Sequence, residues 1–451
     1  MRAGETAALA GGLAYTTFPA ERPPMTESLL AAARRTPRDT WVVVGAVSAS
    51  QYLNHAYLVL FPPILAVLSG EFTVGLAALG VALGVQGATN TAFQLPFGHL
   101  ADRYDRSIAL GLSSVLGAVG VLGAAAAPTF EWLLVAQAVI GVGVAGHHPA
   151  HYPLISDSTP DDLMGRAYSL YGFGGSVGFA TPPVLIAGVV SAGYSWRIGV
   201  GVIGAVGLAY AVAVTWLFAA RVDDTITAPN RDEADGSDTD ADGSIGSRAR
   251  GSWVARARAY LRELAAAPGV LALALLALVT STSGWGFTSY VVVFLQDGYG
   301  LSLSRANLAL TGSYLVGAVA VFVGGDLSDR ISAGPVMIAS FATVGVLVGV
   351  FALGTVGPLA AVALVLLVGG ARSIAGPARS KLTDALSPSG ATGTSFAITT
   401  IGVMLGNAVA PPAFGYLIET AGRRAAFLAV AGVSLLAVLL TVGLLARFGD
   451  A

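Results

Sequence analysis

The chain has no cysteine among its 451 residues. Disulfides, thiolate metal sites and cysteine nucleophiles are therefore excluded. Charge is also scarce: Asp, Glu, Lys and Arg together make up 11%, whereas a water-soluble domain carries about 25%. Lys381 is the only lysine among 24 basic residues. The formal net charge is −2, which argues against nucleic acid as a partner. No Gly-Lys-Ser/Thr phosphate loop is present, so ATP is not expected to drive the protein. The glycine-rich stretches lie inside apolar segments rather than after a strand, so dinucleotide binding is rejected.

What the chain has in abundance is apolar residue. Hydrophobic types make up 55% and the mean hydropathy is +0.72. Lipid is the natural solvent for such a composition. Apolar stretches long enough to cross about 30 Å of hydrocarbon recur down the sequence. They fall at 40–68, 73–100, 107–127, 131–155, 163–191, 195–220, 268–295, 304–328, 335–354, 358–383, 392–418 and 424–447, here numbered spans 1 to 12. Lipid offers no partner for open backbone groups, so each span is predicted to be a helix. Abundant Gly and Ala allow those helices to touch closely. The expected fold class is an all-α membrane protein with twelve transmembrane helices.

One segment breaks the pattern. Residues 221–251 read RVDDTITAPNRDEADGSDTDADGSIGSRARG, an acidic, Gly- and Ser-rich composition that predicts a disordered loop. Behind it Trp253, Ala257, Leu261 and Leu264 share one helical face, with Arg256, Arg258 and Arg262 over much of the rest. That pattern predicts a short helix lying on the membrane, or an extension of span 7. In residues 1–38, Glu5 interrupts any signal-peptide core, so no cleaved signal is expected; Met25 is an alternative start to Met1. With both termini cytoplasmic, the inner side carries Arg34, Arg35, Arg38, Arg103, Arg106, Arg166, Arg221, Arg256, Arg258, Arg262, Arg330, Lys381 and Arg447. The outer loops keep Arg197, Arg305, Arg423 and Arg424. That asymmetry fits a multi-pass plasma-membrane protein obeying the positive-inside rule, with Trp41, Trp132 and Trp196 as interface anchors. The expected organisation is a cytoplasmic tail at 1–38, a six-helix bundle at 39–221, an acidic linker with the surface helix at 222–266, and a second bundle at 267–451.

The two bundles repeat each other. Gly98-His99-Leu100-Ala101-Asp102-Arg103 returns as Gly325-Asp326-Leu327-Ser328-Asp329-Arg330, and Pro149 returns as Pro377. The series Gly174, Gly178, Pro182-Pro183 returns as Gly402, Gly406, Ala410-Pro411-Pro412, at a constant offset of 227–228. A constant offset across unrelated motifs implies two halves related by a pseudo-two-fold axis, as in many secondary transporters.

Gly98-x-x-x-Asp102-Arg103-x-Asp105-Arg106, between spans 2 and 3, resembles the signature of the major facilitator superfamily, and the resemblance runs from about 40 to 447. It implies two six-helix bundles that transport small solutes by alternating access, as a monomer. The glycine permits a close helix approach, Asp102 can face the positive end of a neighbouring helix, and Arg103 and Arg106 can latch onto carboxylates across an inner gate. Gly325, Asp329 and Arg330 are the second copy. Contacts that form in one state and break in the other are what alternating access requires; the alternative is a charged turn that only fixes topology. Asp105 stands where the family usually has Gly, and Ser107 where a further basic residue is usual.

A narrower resemblance rests on Gly141-Val-Gly143-Val-Ala-Gly146-His147-His148-Pro149 and on Gly174-Gly175-Ser176-Val177-Gly178 with Pro182-Pro183. These are similar to the fosmidomycin-resistance-type efflux branch, which tends to carry an acid where His55 stands. Proton-coupled exporters of the superfamily usually have an Arg where this chain has Gln137. The every-fourth-residue series from Gly174 gives a small-residue stripe suited to helix packing. The resemblance suggests span 8 as its partner and an antiporter-like role.

No Asp or Glu falls in the middle of a span, so a buried carboxylate relay is not expected. The embedded ionisable residues are His55, His147, His148, His151, Arg372 and Arg379. They are costly in lipid and should face a cavity or one another. The resemblance implies that spans 1, 4, 7 and 10 line the central cavity, and these six lie on spans 1, 4 and 10. Arg372 is expected to attract an anionic substrate group, since it stays charged at any pH. His55, His147 or His151 would bind substrate or carry a coupling proton. The plainer alternative puts His148, His151 and Arg379 at the cytoplasmic surface. Gln51, Asn54, Gln86, Asn90, Gln94, Tyr171, Trp285, Tyr290, Thr400 and Asn407 complete the expected lining, the alternative for each being an interhelical hydrogen bond. Clustered histidines without a nearby acid or Cys do not favour zinc, so no cofactor or metal is expected.

These readings converge on a gradient-driven transporter whose partners are a small-molecule substrate, the lipid bilayer and a proton or other coupling ion. Efflux of an anionic or drug-like compound is the leading reading, and import of small anions or metabolites the next. A membrane receptor or scaffold is disfavoured by the very short outer loops. A membrane enzyme is disfavoured by the lack of an acid–base cluster in mid-span.

Overall fold

The computed structural model describes residues 37–228, 268–387 and 392–448. The membrane-surface helix expected at 253–264 lies outside the described residues. Eleven long apolar helices appear among them. They are α1 (Arg38–Phe72), α2 (Leu76–Arg103), α3 (Arg106–Ala125), α4 (Phe130–Ser158), α5 (Asp161–Ser191), α6 (Trp196–Arg221), α7 (Pro268–Tyr299), α8 (Leu303–Arg330), α9 (Ala333–Leu353) and α10 (Pro358–Ala385). The last, Thr392–Phe448, leaves helical geometry at Gly422 (φ 85°, ψ 159°). Gly422 therefore divides it into α11 and α12, which makes twelve membrane-length helices among the described residues. Gly reaches this φ without the clash a Cβ would bring.

Two helices are less regular than their apolar runs suggest. In α1, regular helix ends at Leu58, a 3₁₀ turn follows at Pro62–Ile64, and helix resumes at Leu65. Consecutive prolines remove two backbone donors and force this interruption. In α4, the predicted single span splits into Phe130–Ala145 and His147–Ser158 around Gly146. A Cβ on Gly146 would strike the Phe97 ring, so α2 packs directly into the break. Trp41 and Trp132 are half-exposed, as interface anchors should be, but Trp196 is only 3% exposed. Its indole N–H donates to Glu71 at 2.5 Å, and Arg197 pairs with the same carboxylate at 2.6 Å. Trp196 is thus a packing residue that closes one end of the first bundle.

The repeat is visible in three dimensions. Ser113 donates its hydroxyl to the Gly143 carbonyl, and Ser340 donates to the Ala371 carbonyl. A Cβ on Gly174 would meet the Ser48 carbonyl of α1, and one on Gly402 would meet the Ala274 carbonyl of α7. The glycine stripe of α5 therefore packs against α1, not against α8 as the resemblance suggested. Small residues let the two backbones close to contact, which is the main attraction available between helices in lipid. α8 meets α5 further along, where Thr311 donates to the Ala180 carbonyl at 3.4 Å and Ser304 to the Ala187 carbonyl at 3.2 Å.

The halves are joined at the end that carries the α1–α2, α7–α8 and α11–α12 loops. There Asn307 donates to the Pro63 carbonyl at 3.1 Å, and the Ala77 backbone N–H donates to Glu419 at 2.9 Å. Gly84 and Gly87 of α2 lie against Ala408 of α11, where an added Cβ would sit 2.8 Å from backbone atoms. Space for the site lies below this seam.

Candidate functional site

A cavity of about 470 Å³ lies between the halves, walled by α1, α2, α4, α5, α7, α8, α9, α10 and α11. Several expected residues reach it: His55, Asn90, Trp285, Arg372 and Asn407, with Thr400. Arg379 and His148 line it too, so neither ends its helix at the surface. His151 is fully buried, which overturns the surface alternative for it as well. Arg372 and Arg379 share the inner face of α10 as the seven-residue spacing requires.

Arg372 is the strongest electrostatic feature of the wall. It donates through Nη1 to the Gly284 carbonyl at 3.0 Å and to the Thr288 hydroxyl at 3.1 Å, both on α7. Among the described residues no carboxylate lies within ion-pair distance of it; the ion pairs found are Arg106–Asp157, Arg197–Glu71, Arg330–Asp326, Lys381–Asp329 and Arg423–Asp297, all near helix ends. A guanidinium held by two neutral acceptors keeps most of its donors and all of its charge for something else.

Aromatic rings form another part of the wall. His55 stacks on Phe179 at 4.1 Å between centroids, and Phe179 stacks on Tyr314 at 5.4 Å. This stack runs from α1 through α5 to α8 and so bridges the two halves. His55 Nδ1, Asn90 Oδ1 and the Tyr314 hydroxyl are buried cavity-wall atoms without a protein hydrogen-bond partner. Buried polar atoms are normally paired, so unpaired ones around one cavity are what a ligand-binding wall presents.

Other expected residues sit outside the cavity. Gln51 is buried and hydrogen-bonds His55 through its amide nitrogen at 2.8 Å. Asn54 is fully buried with neither amide atom paired. Gln86 donates to the Tyr57 carbonyl at 2.9 Å, bracing the first bundle where α1 breaks. The Tyr290 hydroxyl donates to the Pro411 carbonyl at 2.5 Å and reaches Leu76 at 3.4 Å; it belongs to the seam. His147, His151 and Tyr171 form a buried cluster behind the α4 wall, with Ser50 between the two histidines. Phe179, Tyr314, Thr288 and Tyr152 were not anticipated. The stacking partners lie far apart in sequence, and no periodic pattern marks them.

The motif between α2 and α3 adopts a specific local form. Asp105 caps α3, accepting from Ser107 N at 2.6 Å, Ser107 Oγ at 2.6 Å and Ile108 N at 3.1 Å. The departures at 105 and 107 from the usual motif are therefore one feature, an Asp–Ser helix cap. Arg106 pairs with Asp157 at 2.6 Å and donates to the Ile226 carbonyl at 2.9 Å, tying α3 to the end of α4 and to a one-turn helix at Asp224–Thr227. Arg103 and Asp102 are exposed. In the second copy Arg330 pairs with Asp326, and Lys381 pairs with Asp329. A Cβ on Gly98 would meet only Pro149, at 3.9 Å, and one on Gly325 nothing within 4 Å. Neither glycine is at a close approach in this conformation.

Comparison with known proteins points one way. The description "Major Facilitator Superfamily" matches residues 47–304 and 273–448. The chain is 24% identical over 297 residues to the fosmidomycin resistance protein of Escherichia coli (strain K12), covering 65% of this chain and 66% of that protein. It is 27% identical over 166 residues to the MFS-type transporter YybF of Bacillus subtilis (strain 168), covering 37% and 41%. It thus spans less than two thirds of the length of either relative. A bacterial homolog of the human lysosomal transporter Spinster, solved in an inward-facing and occupied conformation, aligns over 90% of this chain and 97% of its own with a TM-score of 0.69 at 18% identity.

Proposed function

The chain belongs to the Major Facilitator Superfamily, and on that premise we propose that it is a secondary active transporter that exports small organic anions across the plasma membrane by alternating access. The observation that carries this reading is the Arg372 guanidinium, without an ion-pair partner among the described residues, on the wall of a cavity that also holds Arg379 and, among those residues, no carboxylate. A substrate carboxylate, phosphate or phosphonate would take the donors that Arg372 leaves free, and the His55–Phe179–Tyr314 stack would take its apolar part. Similarity to a fosmidomycin resistance protein supports export.

The two bundles, at 39–221 and 267–451, rock about this midplane site. We read the seam of Asn307, Ala77 and Glu419 as the closed outer gate and both termini as cytoplasmic, because the arginine-rich loops lie at the opposite end. The cavity is then inward-open, and the inner gate of Gly98, Asp102, Arg103, Arg106, Gly325, Asp329 and Arg330 is disengaged. The uncrowded Gly98 and Gly325 support that reading. A second reading, uptake of small anions, is favoured by the wall chemistry: with arginines and histidines but no acid, a bound anion and a bound proton reinforce each other, as cotransport needs.

The test is flux of labelled benzoate, phosphonoacetate and dicarboxylates in proteoliposomes, with and without an imposed pH gradient. Gradient-dependent flux that disappears in Arg372→Ala supports the site. Flux indifferent to Arg372 removes it, and no flux of any compound revives the receptor reading.

A further inference from the structure

The first bundle holds an unbroken string of hydrogen bonds that the anion site does not use. The Tyr171 hydroxyl lies 2.9 Å from His148 Nδ1 and 3.3 Å from His151 Nδ1. His151 Nε2 lies 2.8 Å from the Ser50 hydroxyl, and that hydroxyl lies 2.6 Å from His147 Nδ1. One end is at the cavity, through His148. The other is His147 Nε2, which is buried with no partner. Ser50, His151 and His147 are at most 1% exposed.

Every link is a group that can both donate and accept. A hydroxyl has one proton and two lone pairs, and an imidazole can take a proton on one nitrogen while releasing one from the other. From the geometry we infer that His148, Tyr171, His151, Ser50 and His147 form a proton relay that opens on the substrate cavity and stores the coupling proton inside the first bundle. This rests on the transporter reading above and names the groups that would serve its gradient.

The relay balances atom by atom. In one polarity His148 Nδ1–H donates to Tyr171, Tyr171 donates to His151 Nδ1, His151 Nε2–H donates to Ser50, and Ser50 donates to His147 Nδ1. His147 then carries its own proton on Nε2. A proton arriving from the cavity at His148 Nε2 shifts each hydrogen one place along. The result is His147 protonated on both nitrogens, with every other group neutral and every bond reversed. His147 Nε2 has no partner to release to, so the stored proton leaves by the same shifts run backwards, returning a proton to the cavity from His148 Nε2 and restoring the first polarity. Only five groups move, and none changes position by more than a hydroxyl rotation.

The surroundings suit a mobile charge rather than a fixed one. Behind the string stand other neutral groups: Tyr152 and Tyr168 ring against Tyr171, the Tyr210 hydroxyl of α6 donates to the Ala46 carbonyl, and His55 faces His148 at 6.4 Å. Arg372 and Arg379 share the cavity wall with His148, the Arg106–Asp157 pair lies at the end of α4, and Arg166 stands earlier on the Tyr171 helix. No carboxylate faces the string among the described residues, so nothing there traps the proton permanently. An anion on Arg372 would cancel charge that otherwise opposes proton entry.

The relay is tested by ¹⁵N NMR of histidine-labelled protein in lipid nanodiscs, which reads the proton on each ring nitrogen. The expected result is that one, and only one, of His148 Nδ1 and His151 Nδ1 carries a proton, and that the three histidines titrate together. Ser50→Ala should leave His148 and His151 coupled and release His147 to titrate alone; Tyr171→Phe should separate His148 from the other two. An unchanged backbone amide fingerprint away from the string, with an unchanged His99 resonance, would show that the variants fold. Protons on both Nδ1 atoms at once, or a titration of His147 that ignores Ser50→Ala, would overturn the relay. Because this measurement needs no transported anion, its failure leaves the Arg372 site standing, and failure of anion flux leaves the relay standing.

Discussion

The two halves share a backbone plan but meet the cavity with different chemistry. The first half presents histidines, which can gain or lose a proton and are tied to hydroxyls and to one another. The second presents two arginines that never lose charge, one of them held only by a carbonyl and a threonine. One pair falls on equivalent positions: His151, buried behind the α4 wall, maps onto the cavity residue Arg379 across the 228-residue offset. On the proposed reading, repetition set the shape of the cavity, and divergence at a few positions at or behind its wall set titratable groups in one half against permanent charge in the other.

The sharpest way to break this comparison is to remove the permanent charge. Arg372→Ala should abolish gradient-dependent anion flux, while Arg372→Lys should restore it only in part, because a point charge replaces a planar fork of donors. A smaller effect is expected from making the halves alike. Arg379→His should leave a carrier that resembles the intact chain at acidic pH, where the imidazole is charged, and weakens as the pH rises and that charge is lost. Initial flux rates across that pH range would check it, and a flat profile would show that Arg379 plays no part in anion binding.

The seam offers a weaker lever. Asn307→Ala removes a buried bond that joins α8 to the Pro63 carbonyl of the other half. The loss is about 1 kcal/mol, or roughly a fivefold shift away from the closed seam. Because the chain has no cysteine, a single cysteine placed in the seam can report this shift by its rate of thiol labelling. An unchanged rate would mean that the seam is held by packing alone.

The smallest effects belong to the turns that carry the repeated motif. Asp105 caps α3 with three accepted hydrogen bonds, whereas Ser332 at the equivalent turn has φ 136° and no cap bond. Asp105→Ala should destabilise the first half by about 1 kcal/mol through loss of the cap. Ser332→Gly should stabilise the second by a comparable amount, on the order of 1 kcal/mol, by relieving a backbone region that favours glycine. Thermal unfolding of each variant in detergent would show the opposite signs, and equal signs would sink the distinction.

The sequence by itself determined the solvent, the number of crossings and the two-fold repeat. Low charge, long apolar runs and a constant motif offset are properties of the chain that no packing can undo, so the twelve spans fall where hydropathy puts them. It also marked Arg372 and His55, because an ionisable residue in mid-membrane must find a cavity or a partner. Only the tertiary structure decided which polar residues reach the cavity. Asn90 and Asn407 do, while Gln86 braces the first bundle, Tyr290 joins the seam and Asn54 is buried between helices. The reason is physical. A helix brings polar residues to one face, but whether that face meets a void or a neighbour depends on how closely the glycines let each pair of helices approach. The glycines of α5 brought α1 against it, and that packing placed Ser50 between His147 and His151.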